Sequence, residues 1–75
     1  MAAETYGQRV RMLRDRLKMS QREVADIIGC TRSMVASVEG ERWRFGRSVE
    51  PKFVRLAGVG REFIADAPLK SADAS

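Results

Sequence analysis

The sequence predicts a compact all-α domain built from five short helices. Three observations carry that expectation. A chain of 75 residues is enough for one domain with a marginal core, which favours a compact helical bundle or a dimer over an open sheet. Apolar residues recur at helical spacing from Tyr6 to Leu17. Beyond them, cap residues and glycines divide the chain into short helical segments.

The first helix is expected over Thr5–Lys18. Tyr6, Val10, Leu13 and Leu17 fall at i, i+4, i+7 and i+11, a single apolar stripe. Arg9, Arg11, Arg14, Arg16 and Lys18 fill much of the remainder and read mainly as a solvated basic face. Ser20 followed by Glu23 is a capping box that opens the second helix. Val24, Ala25 and Ile28 form its inward face, and Gly29 ends it. Thr31 caps a third helix whose Val35 and Val38 point inward, with Gly40 at its end. Glu41–Arg47 has no helical period and reads as a basic, aromatic loop. Ser48 is the expected cap of a fourth helix carrying Pro51 in its first turn and Phe53, Val54, Leu56 and Ala57 as apolar positions. Gly58-Val59-Gly60 is a break, and Arg61–Ala65 a short fifth helix with Phe63 and Ile64. The domain is expected over residues 1–66, with 67–75 a disordered tail.

The interval pattern from Ser20 to Gly40 suits neither one helix nor a strand pair. Two short helices joined by a tight turn and crossing steeply account for it. Ala25 is small where the helices meet, and Gly29 supplies the positive φ of the corner. The apolar pattern resumes after the glycine because Val24, Ile28, Val35 and Val38 all reach one core.

Composition narrows the function. The net charge is +4, from 14 Lys+Arg against 10 Asp+Glu. Residues 1–65 carry +5 and the last ten −1. The 11 arginines outnumber the 3 lysines, which favours phosphate recognition, since guanidinium forks match phosphate oxygens. There is no histidine, which removes His-based metal sites and general bases. The single cysteine, Cys30, allows no internal disulfide and suits a reducing cytoplasm. It sits at the turn, where a small buried apolar role competes with a redox role. No apolar run has membrane-spanning length, and the N-terminus lacks an apolar signal core. Glu23 and Asp26 are an ordinary i, i+3 pair of solvated acids, and no nucleophile–base constellation is present. An enzyme, a cofactor, a metal and a small-molecule ligand are therefore not expected.

The ordered set Arg9-Val10, Leu13-Arg14, Leu17, Met19-Ser20-Gln21, Glu23-Val24-Ala25, Gly29, Val35, Val38 and Glu39 resembles the phage-repressor/Cro type of helix-turn-helix domain, the XRE family. The resemblance covers residues 5–66, and Pro51 through Gly58-Val59 fits that family's fourth helix. Each residue alone is common; the set in register over five helices is specific. The resemblance implies that Val24, Ala25, Ile28, Gly29, Val35 and Val38 form the helix-turn-helix core. It also implies an ion bridge between Arg14 and Glu39. One departure is that Glu39 and Gly40 are adjacent, where the family usually has a residue between them; the following loop is then about one residue longer.

If the resemblance holds, the helix after Thr31 lies in the major groove of double-stranded DNA. Its outward residues are Arg32, Ser33, Ala36 and Ser37. Arg32 is the principal candidate for a base contact, because its two donors match guanine O6 and N7; a phosphate contact is the alternative. Ser33 and Ser37 discriminate weakly, and Ala36 and Met34 suit a thymine methyl, although Met34 equally suits core packing. Direct readout is thin, so DNA shape is expected to carry part of the specificity. Gln21, Arg22 and Thr31 are expected on the DNA backbone, Gln21 through its place at a helix N-terminus. Arg42, Arg44 and Arg47 are expected on the backbone or in the minor groove, against a solvated loop as the plain alternative. Trp43 and Phe45 suit core closure or a dimer contact better than base stacking.

The function these residues imply is a transcription regulator of Cro-like, phage or plasmid type, bound as a homodimer to an inverted repeat. Val59, Phe63 and Ile64 are the expected dimer surface. Such a protein acts in the cytoplasm of a bacterium or phage-infected host, at the nucleoid. An antitoxin or adaptor acting through a protein partner, and a DNA-bending excision factor, are the competing readings.

Overall fold

The computed structural model describes residues 4–69. Five helices follow one another: α1 Tyr6–Leu17, α2 Gln21–Ile28, α3 Arg32–Glu39, α4 Glu50–Ala57 and α5 Glu62–Ala65. No strand occurs among the described residues. One core holds them together, formed by Tyr6, Val10 and Leu13 of α1, Val24, Ala25 and Ile28 of α2, Val35 and Val38 of α3, Phe53 and Val54 of α4, and Ile64 of α5. Leu17, the last residue of the α1 stripe, is only half-buried.

Most helix ends are set by the side chains that the sequence places there. Thr5 is the cap of α1 rather than its first residue, and it forms a capping box with Gln8. Ser20 and Glu23 form the second box, and Thr31 caps α3 by accepting from the Met34 N–H. Gly29 closes α2 at φ 80, and Gly58 closes α4 at φ 74; both take the left-handed conformation that glycine adopts without a Cβ penalty. Ser48 does not cap α4. The capping position is Val49, with no side-chain bond, and Pro51 stands in the first turn. There a missing N–H costs nothing, because the first helical N–H groups have no intrahelical partner. Arg61 precedes α5 as its cap instead of belonging to it.

Two ends use a non-glycine residue at positive φ. Lys18 after α1 has φ 58 and Glu41 after α3 has φ 68. At the end of α3 the Arg42 N–H reaches the Ser37 carbonyl and the Glu41 N–H reaches that of Val38. This is a Schellman closure, which places the left-handed residue at Glu41. Gly40, at φ −83, sits one residue too early to fill that role.

Residues 67–69, expected in the tail, are part of the domain. Ala67 is buried in the core and Leu69 packs against it. The Pro68 carbonyl accepts the Tyr6 N–H at 2.8 Å, satisfying a donor at the start of α1 that has no partner within the helix. Residues 70–75 of the expected tail lie outside the described residues.

Candidate nucleic-acid interface

α3 is fixed on its inner side and open on its outer side. Val35 and Val38 are fully buried. Thr31, Arg32, Ser33 and Met34, from the cap and first turn, are exposed, while Ala36 and Ser37 are half-buried. Met34 is 37% exposed, so it is available to a groove rather than sealed in the core. On α2, Arg22 is exposed and Gln21 half-buried.

A chain of polar contacts ties this surface to the rest of the domain. Arg14 donates to Glu39 through Nε at 2.6 Å and through a terminal nitrogen at 3.1 Å. Its other terminal nitrogen donates to the Met19 carbonyl at 2.8 Å. Both side chains are largely shielded from water, and the carboxylate raises the Arg14 pKa against the opposing effect of burial. The bridge spans α1 and α3, as the resemblance implies. Gln21 then donates to Glu39 Oε1 at 3.2 Å and accepts from Arg32 at 3.0 Å. The order Arg14–Glu39–Gln21–Arg32 therefore links α1, α3 and α2 and ends on the outward arginine. Sequence spacing places Gln21 at the start of α2; its joint contact with Glu39 and Arg32 depends on how α2 crosses α3, which spacing does not show.

The close approach of α1 to α3 depends on Gly7. A Cβ built there lies 2.5 Å from the Val38 carbonyl oxygen and 2.8 Å from that of Glu39. Ala25, expected as the small residue where α2 and α3 cross, is buried; the α1–α3 approach at Gly7 is a separate contact that the sequence alone does not announce. The signal for Gly7 is positional: a glycine on the buried face of a helix in which Gln, Arg, Met and Leu, all good helix formers, predominate. Glu41 closes the same corner. Its Oε2 accepts the Thr5 hydroxyl at 2.6 Å, placing a carboxylate at the N-terminus of α1, whose first turn has no acid of its own.

The loop between α3 and α4 divides its residues. Phe45 is buried and packs against Phe53 and Tyr6, with ring centroids 5.2 and 6.4 Å apart. Trp43 is 59% exposed and does not close the core. Arg44 lies over the Tyr6 ring, 4.9 Å from its centroid, and bonds the Ala65 carbonyl at 3.4 Å. Arg42 and Arg47 are exposed. Beneath the loop, the Tyr6 hydroxyl donates to the buried Glu50 at 2.5 Å and accepts from the Phe45 N–H at 3.2 Å. Arg61 donates to the other Glu50 oxygen at 2.7 Å. Burial, reinforced by Glu50, pushes the Tyr6 hydroxyl pKa well above its ordinary value. Spacing does not expose this Tyr6–Glu50 pair, because its members lie 44 residues apart.

The expected dimer residues separate. Val59 and Phe63 are half-buried, and Phe63 carries the Arg9 guanidinium 5.3 Å above its ring. Ile64 is fully buried in the domain's own core, so its side chain offers no surface to a second copy. Alternation along a four-residue helix cannot distinguish the inward from the outward member of the Phe63-Ile64 pair. Cys30 is half-buried, its thiol pushed up by burial, which suits packing at the turn better than thiolate chemistry.

Among solved structures, the crystal structure of hypothetical transcription factor NHTF from Neisseria is similar. It shares 25% identity and superposes with a TM-score of 0.73 over 97% of this chain and 84% of that one. No curated protein matches the sequence. Residues 5–66 match the model of a helix-turn-helix domain family, the same span as the α1–α5 frame. The chain belongs to this helix-turn-helix family of DNA-binding, non-enzymatic transcription-factor domains.

Proposed function

We propose that this protein is a sequence-specific transcription regulator that lays α3 in the major groove of duplex DNA and reads it chiefly through Arg32. The observation that carries the reading is the relay ending on that residue. Gln21 holds the Arg32 guanidinium at 3.0 Å, and Gln21 is itself held by Glu39. An exposed arginine anchored by one bond loses less freedom on binding than an unanchored one, while its remaining donors stay available for guanine O6 and N7. Ser33, Ala36 and Ser37 complete the outward face with short side chains, which leaves part of the specificity to DNA shape. Gln21, Arg22 and Thr31, at the start of α2 and the cap of α3, are the proposed contacts to the DNA backbone, together with Arg42, Arg44 and Arg47 of the loop after α3.

One such helix contacts only a few base pairs, so the reading includes a homodimer on an inverted repeat. Val59 and Phe63 remain candidates for its contact surface. Within the family, a Cro-like repressor of phage or plasmid type is the form of this reading that the resemblance over residues 5–66 favours.

The test is a selection from randomised duplex DNA at moderate salt, followed by sequencing of the bound pool. Enrichment of an inverted repeat is the expected outcome. A bound pool with no motif, in which retention tracks charge alone, would remove the reading and favour a protein partner for the same surface.

A further inference from the structure

Trp43 is the most exposed large apolar side chain among the described residues, at 59%. The loop around it has two faces. Phe45 turns inward onto Tyr6 and Phe53. Glu41, the loop's one acid, turns its carboxylate to the Thr5 hydroxyl at the start of α1. Arg42, Trp43 and Arg47 are left facing solvent, with Arg44 along the rim over Tyr6. The outer face therefore carries positive charge and one indole, with its negative charge sequestered.

We infer that Trp43 itself joins this loop's contact with the DNA strand: it packs against deoxyribose and gives its indole N–H to a phosphate oxygen. This rests on the reading of α3 as the groove-bound helix. The chemistry of the face matches a sugar–phosphate strand. An indole is an apolar body with one donor and no acceptor, and the strand alternates apolar sugar with an acceptor-only anion. Arg42 and Arg47 supply charge for the adjoining phosphates. The geometry of α3 agrees. At 1.5 Å per residue, its eight residues run about 12 Å, comparable to a major groove about 12 Å wide. With the first turn of α3 at the bases, the loop after its last residue comes to the groove wall. A contact there touches no base edge, so it adds affinity without sequence preference.

Trp43 is the chain's single tryptophan, so tryptophan emission reports on this loop alone. The experiment titrates the intact chain with an unlabelled random-sequence duplex at low salt, following emission and acrylamide quenching. Anisotropy of a labelled duplex measures binding independently. Emission should change and quenching should fall with the same midpoint as the anisotropy. Trp43→Ala should weaken random and selected duplexes alike by about tenfold, the lower part of the range for an aromatic contact with nucleic acid. Its far-UV circular dichroism should be unchanged, because the side chain supports no core contact, and Trp43→Phe should fall between the two proteins. Binding by anisotropy with unchanged emission and quenching would overturn the proposal and leave the α3 reading standing. Absence of binding by anisotropy would overturn both. Shielding of Trp43 by raising protein concentration alone, with a Trp43→Ala protein that dissociates yet binds DNA as before, would assign the face to a second copy and overturn the proposal.

Discussion

Gly7 and Arg14 show how single residues set the frame on which α3 is displayed. Gly7 lets α1 touch the carbonyls of Val38 and Glu39, and backbone cannot move aside as a flexible side chain can. Gly7→Ala should therefore destabilise the domain by about 2 kcal/mol, within the usual range for overpacking, despite alanine's better helix propensity. Thermal unfolding of the two proteins checks this; an equal or higher midpoint for the alanine variant would show that α1 has room to shift. Arg14→Ala would leave the Glu39 carboxylate shielded with only Gln21 as a partner. Loss of a largely shielded, bidentate pair should cost about 2–3 kcal/mol, and it should also free Gln21 and Arg32 to reorient. Neither effect is visible from spacing alone. The Arg14–Glu39 pairing follows from the resemblance, whereas the position of Gly7 against α3 exists only after the helices have packed.

At the scale of the elements, the sequence is most legible where a side chain acts on its own helix. The Ser20–Glu23 box, the Thr31 cap and the Gly29 corner are local chemistry, and each stands where that chemistry puts it. The α3–α4 connection is harder to read because its geometry depends on distant partners. Gly40 looks like the left-handed residue, yet Glu41 takes that conformation, with its carboxylate fixed by Thr5. Lys18 and Glu41 therefore make a controlled comparison. Lys18 is exposed, and Lys18→Gly should relieve its left-handed backbone and stabilise the domain by up to about 1 kcal/mol. Glu41→Gly relieves the same strain but removes the carboxylate from the start of α1, so it should give no such gain. Denaturant midpoints for both variants would decide; equal gains would mean that the Thr5–Glu41 contact contributes nothing. The far end of the chain departs from the expected tail for a related reason. Ala67 and Pro68 resemble a tail in composition, but they complete the core and the α1 N-terminus, a role defined only by residues some sixty positions earlier.

The whole molecule responds to pH and salt through groups that belong to different parts of it. The Tyr6 hydroxyl is buried against Glu50, and its folded pKa is raised above the ordinary 10.0. A raised folded pKa means that the stabilisation is fully present below the unfolded value. It is lost progressively as pH rises past that value toward the folded one. The urea midpoint should thus fall above pH 10, and in Tyr6→Phe that alkaline component should be absent, although the variant is less stable at neutral pH because Glu50 and the Phe45 N–H lose a partner. DNA affinity should fall with salt, with log K decreasing by about 0.9 per log unit of salt for each phosphate neutralised. A flat response would contradict contacts from Arg22, Arg42 and Arg47 to the backbone. The central claim, that α3 reads bases through an anchored Arg32, is tested most directly by dissociation constants. Wild type and Arg32→Ala would be measured on a selected site and on its single-base variants. The variant should lose about 5- to 100-fold in discrimination at one G·C position and bind random duplex nearly as before. Equal weakening on every sequence would make Arg32 a backbone contact and contradict the claim.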